Sequence, residues 1–76
     1  MPHVIVKLLA GRSEPQKARI AEAVCQAIIA TTGNGEDAVS VSIEDVQKDA
    51  WAEAVYRPDI LGKPDTLYKK PGYNPL

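Results

Sequence analysis

Apolar side chains recur along this chain in three different rhythms, and each rhythm predicts an element. Val4-Ile5-Val6-Lys7-Leu8-Leu9 is almost continuously β-branched or aliphatic and stops at Gly11. A short run of that kind is expected of a strand buried on both faces of a parallel sheet. Ser13-Glu14-Pro15-Gln16 then opens a helix: Ser13 is placed to cap, Gln16 completes a capping box, and Pro15 in the first turn forfeits no hydrogen bond. Ile20, Ala21, Val24, Cys25, Ile28 and Ile29 recur at helical spacing, with Lys17, Arg19, Glu22 and Gln26 mostly off that stripe. Thr31-Thr32-Gly33-Asn34-Gly35 ends the helix with residues that tolerate positive φ. Val39-Ser40-Val41-Ser42-Ile43-Glu44 alternates apolar and polar, the period of a strand with one packed face.

Strand, helix and strand in this order predict an α/β fold built on a single βαβ unit with parallel strands and a right-handed crossover. Two strands do not make a stable sheet alone, so a second subunit is expected to complete it. Beyond residue 46 the pattern weakens. Asp49 to Tyr56 reads as a short helix with Asp49 as its cap, and Pro58, Pro64, Pro71 and Pro75 predict turns and an irregular tail. Neither an internal repeat nor a linker divides the chain, so residues 1–76 are expected to form one domain.

Composition narrows the function. The net charge of -1 lacks the basic stripe that nucleic acid requires. No apolar stretch approaches the ~20 residues that span a bilayer, and the N-terminus has no signal-peptide pattern. Cys25 is the only cysteine and His3 the only histidine, which rules out an internal disulfide and leaves no cluster with metal-ligand spacing. A lone free thiol fits the reducing cytoplasm. A chain of 76 residues buries only a little over ~60% of its unfolded surface, so association with other copies is the expected support.

Chemistry concentrates at the N-terminus. If Met1 is removed, Pro2 becomes the first residue and its ring nitrogen a free secondary amine at the mouth of a strand. An α-amino group titrates near ~7.7–8.0 and a secondary ring amine higher. Apolar neighbours (Val4 through Leu9) and a nearby cation (Arg12) both lower an amine's pKa, as a base working at neutral pH requires. Arg12 stands where the helix begins, and its planar fork suits a bidentate grip on a carboxylate beside helix N–H groups that also favour an anion. A strand between them sets Arg12 roughly 30 Å along the chain from Pro2, so only a partner subunit, or a sharp bend, would bring the two kinds of residue together. Trp51 fills core or an interface, or walls a pocket that keeps water from the amine, and Tyr56 is near enough in sequence to line the same pocket. Tyr56, Tyr68 and Tyr73 are expected to pack the tail rather than act as acids. Cys25 lies on the apolar stripe as an inert core residue, Lys69 and Lys70 read as a solvated patch, and His3 alternates to the face opposite Pro2 and receives no role.

Pro2, the apolar strand, Gly11-Arg12-Ser13, the glutamine-bearing capping turn, one long helix and an alternating second strand together resemble the 4-oxalocrotonate tautomerase family over residues 2 to about 51. Lys69-Lys70-Pro71-Gly72-Tyr73 resembles the longer tails of a bacterial subgroup, some of whose members are dimers rather than hexamers built as trimers of dimers. The resemblance implies that Met1 is removed, and that Pro2 shuttles a proton between the oxygen and carbon ends of an enol without metal or organic cofactor. It also implies that Arg12 contacts a substrate carboxylate, often across a subunit boundary, and that Trp51 is an aromatic pocket residue. One departure matters. Where the best-known members carry a second arginine that polarises the 2-oxo group and binds its carboxylate, this chain has Ser40. Losing a charge-assisted contact costs ~1.5–3 kcal/mol, which disfavours dicarboxylates such as 2-hydroxymuconate and favours a monocarboxylic enol like that of phenylpyruvate.

The expected function is therefore a keto–enol tautomerase acting on a small carboxylate. Two rivals remain open in the sequence. A protonated Pro2 is a general acid for hydration, dehalogenation or decarboxylation, and a chain that kept only the scaffold is a non-catalytic oligomeric ligand-binding module.

Overall fold

Seven residues, His3–Leu9, form β1; nineteen, Glu14–Thr32, form α1; and seven, Ser40–Val46, form β2. The structure, a computed structural model, describes residues 1–76. It divides into two compact units, Met1–Asp45 and Val46–Leu76. In the first, β1 and β2 pair as a two-stranded parallel sheet joined through α1.

The ends of α1 are set by local chemistry. Ser13 stays extended (φ -72, ψ 157) and its hydroxyl accepts the Gln16 N–H at 3.2 Å. At the other end Gly33 takes φ 77 and donates its N–H to the Ile29 carbonyl at 3.0 Å. The hydroxyls of Thr31 and Thr32 donate back to the Ala27 and Ile28 carbonyls at 2.8 and 2.6 Å, the local side-chain bonding that threonine adopts within a helix. The apolar stripe expected for α1, Ile20, Ala21, Val24, Cys25, Ile28 and Ile29, is its half-buried face.

β1 is not buried on both faces. His3, Ile5 and Leu9 are exposed, Ile5 at 52% and Leu9 at 43%, while Val4, Val6 and Leu8 are half-buried. A single helix covers one face of a two-stranded sheet and leaves the other open. No residue of the first unit is buried; the two that are, Val55 and Tyr56, belong to the second.

The second unit departs further from expectation. A short 3-10 turn, Lys48–Ala50, leads through Trp51 into a helix, α2, that runs Ala52–Leu61 with π winding. Asp49 lies inside the turn and does not cap α2, whose start has no side-chain cap at all. Nor does Pro58 end the helix: it lies inside it, and the Gly62 N–H closes the last turn on the Arg57 carbonyl at 2.8 Å, an i to i+5 bond. In an α-helix proline clashes with the carbonyl four residues back; bonding shifted by one residue widens the turn and relieves that clash. Glu53 and Arg57 pair along the exposed side of α2 at 2.8 Å. Pro64–Thr66 adds one more 3-10 turn before the tail. No helix is long and apolar enough to cross a membrane.

Candidate active site

Pro2 is half-buried immediately before β1. Its carbonyl accepts the Ser40 N–H at 3.1 Å, which carries the strand pairing one residue past the end of β1 and holds Pro2 in place. A proline fits there because the first position of a strand loses least from a missing N–H. Met1 ahead of it is fully exposed. While Met1 is attached the Pro2 nitrogen is an amide with no basic lone pair; detaching it leaves the ring amine on a fixed backbone.

Ser40 starts β2 at the same end of the parallel sheet. Its hydroxyl oxygen lies 2.7 Å from Nδ1 of His3, the residue to which alternation along β1 alone assigned no role. The signal that finds His3 is register: parallel pairing sets the first residues of both strands side by side, and side chains on one face of neighbouring strands then meet.

Arg12 lies past the opposite end of β1. A seven-residue strand spans about 23 Å, so one protomer does not bring its Pro2 and Arg12 together. Gly11 leaves the strand at φ 121, a conformation open to glycine and strained for other residues. Arg12 follows it, exposed and without an ion pair, just before the first N–H groups of α1. Lys17 secures that turn: its Nζ donates to Asp45 at 2.9 Å and lies 3.4 Å from Glu14. The hydrogen bond to Asp45 raises the Lys17 pKa above its ordinary value, against a smaller opposing effect of burial, with Glu14 adding to the rise. Lys17 is thus a tie between α1 and β2 rather than a solvated charge.

In the second unit, Trp51 is half-buried and its Nε1–H donates to the Tyr73 hydroxyl at 2.9 Å. The Tyr73 ring meets that of Tyr56 at 5.8 Å, tilted by 46°. Trp51, Tyr56 and Tyr73 form one aromatic cluster, whereas Tyr68 is almost fully exposed and packs nothing. A groove of about 280 Å³ runs between Tyr56, Ile60 and Leu61 of α2 and Leu67, Lys70 and Pro71 of the tail. Cys25 is half-buried, and burial pushes its thiol pKa up, away from the reactive thiolate.

Comparison with known proteins decides the family. The family model described as "Tautomerase enzyme" matches residues 2–57, beginning at Pro2. The chain belongs to the tautomerase family. It is 42% identical over 76 residues to a "Probable tautomerase" of Xylella fastidiosa, across 100% of this chain and 93% of that one. It is 40% identical over 75 residues to "Tautomerase PptA" of Pectobacterium carotovorum, covering 97% of this chain and 99% of the relative. Among solved structures it resembles YwhB, a homologue of 4-oxalocrotonate tautomerase, with TM-score 0.65 and 42% identity over 71% of this chain and 88% of that one. The first two relatives align along the tail as well as the βαβ unit, so this tautomerase shares its longer C-terminal segment with them. The chain is an enzyme of this family.

Proposed function

We propose that this tautomerase interconverts the enol and keto forms of a small 2-oxo acid with one carboxylate, using Pro2 as the proton shuttle once Met1 has been removed. The observation that carries this reading is the placement of Pro2 in a tautomerase-family chain, half-buried at the head of β1 and fixed through its carbonyl to Ser40. The neutral ring nitrogen takes the proton of the 2-hydroxyl, and the O–H pair becomes the carbonyl π bond. The former C=C pair then takes the same proton from the Pro2 nitrogen at C3. Atoms and charge balance without metal or organic cofactor, and a positioned base of this kind contributes ~10²–10⁴-fold.

In this reading Arg12 grips the substrate carboxylate from a neighbouring protomer, Trp51 supplies an apolar wall, and Ser40 offers one neutral hydrogen bond to the 2-oxygen. All 76 residues act as one tautomerase domain within a cytoplasmic homo-oligomer, whose second copy covers the open face of β1 and completes the sheet. The test is Pro2→Ala, confirmed by mass to have lost Met1. Its circular dichroism is expected to match the wild type while turnover of an enol such as that of phenylpyruvate drops by about 10²-fold or more. Equal rates in the two proteins would remove the proposal.

A further inference from the structure

The only histidine of the chain adjoins the proposed proton shuttle and is bonded to the very residue that departs from the family pattern. His3 Nδ1 lies 2.7 Å from Ser40 Oγ, and the Ser40 N–H donates to the Pro2 carbonyl at 3.1 Å. Ser40 is therefore tied to the start of β1 through its backbone and its side chain at once. A serine hydroxyl by itself rotates, and its single proton goes to whichever acceptor is nearest. A partner at 2.7 Å ends that freedom.

What the hydroxyl then offers a ligand depends on the imidazole. A neutral ring carries one donor nitrogen and one acceptor. With the proton on Nε2, Ser40 must donate to Nδ1 and shows a ligand only lone pairs. With the proton on Nδ1, the ring donates to Ser40 Oγ and the serine proton is free to point elsewhere.

We propose that His3 is a positioning residue, whose Nδ1–H holds Ser40 so that the serine hydroxyl donates to the 2-oxygen of a monocarboxylic 2-oxo acid as charge gathers there. The inference rests on the Pro2 chemistry proposed above and extends it. When the 2-hydroxyl loses its proton to Pro2, its oxygen gains negative charge. An oriented donor aimed at that charge stabilises the transition state more than the bound substrate. Donation from imidazole into the serine oxygen polarises the hydroxyl and strengthens it as a donor. The pair activates the 2-oxygen without a fixed cation, so it has no means to attract a second carboxylate.

The test uses His3→Phe, His3→Asn, Ser40→Ala and the double variant H3F/S40A in the full chain with Met1 removed, assayed on the enol of phenylpyruvate. H3F is expected to lower kcat roughly two- to tenfold with a smaller change in KM. H3N keeps a donor near the Nδ1 position and recovers most of that loss. In the S40A background H3F costs nothing more, because two residues acting as one unit are not additive. With a single histidine, the imidazole nitrogen resonances need no assignment; they are expected to report the Nδ1–H tautomer in the wild type and a shift towards Nε2–H in S40A. A wild-type kcat in H3F, an undiminished H3F loss in S40A, or the same tautomer in both proteins overturns the inference. Absence of turnover in the wild type overturns the Pro2 reading instead, and the nitrogen spectra then decide the His3–Ser40 coupling by themselves.

Discussion

A Cβ added to Gly62 comes within 2.7 Å of the Pro58 carbonyl oxygen and 3.0 Å of that of Arg57. Both are backbone atoms, and the second is the acceptor that closes α2, so neither yields without unwinding the turn. Gly62→Ala is therefore expected to lower stability by about 1–3 kcal/mol, as overpacking does. Chemical denaturation of the two proteins measures this, and an unchanged midpoint removes the account of that turn. Ser13 and Gly33 are legible in the sequence because their work is local: a cap needs only its own residue and the backbone a turn away. His3 is the opposite case. Its partner is 37 positions distant, and alternation along one strand says nothing about which side chain of the next strand stands beside it.

At the scale of elements, the tie between α1 and β2 depends on pH in a definite direction. Pairing with Asp45 raises the Lys17 pKa in the folded state above the unfolded value of ~10.4. The stabilisation is full below that value and disappears as pH climbs through the folded one. Asp45→Asn removes the charge partner, so its stability is expected to fall less steeply above pH ~10.4 than that of the wild type. Parallel pH–stability curves for the two proteins contradict the tie. The same scale shows what periodicity conveys. The stripe on α1 was readable because a helix presents each apolar residue to one side. The continuous run of β1 was not, since it looks the same whether the second face meets a core, as expected, or stands open. Proline at position 58 read as a stop only because sequence rules assume bonding to the fourth residue back, which π winding abandons.

For the whole molecule, the first unit has no fully buried side chain and leaves Ile5 and Leu9 exposed on β1, as a subunit awaiting its neighbour does. The proposed homo-oligomer makes Ile5→Lys disruptive, because a charge entering an apolar interface is desolvated without a partner. Sedimentation is expected to show wild type at the mass of an oligomer and Ile5→Lys shifted to the single chain. An oligomer of unchanged mass in the variant would place the interface elsewhere. The number of copies was not readable from the chain, since it follows from surfaces of two molecules and not from spacing within one.

Pro2 and Arg12 lie beyond opposite ends of β1, and that separation has a genetic consequence. Each defective chain, Pro2→Ala or Arg12→Ala, still carries what the other lacks. Unfolded together and refolded as a mixture, they are expected to regain activity that neither has alone, because in the proposed shared site every mixed pair contains one sound proline facing a sound arginine. Two inactive alleles would complement each other inside a single cell; a mixture that stays dead would mean that each protomer furnishes its own arginine.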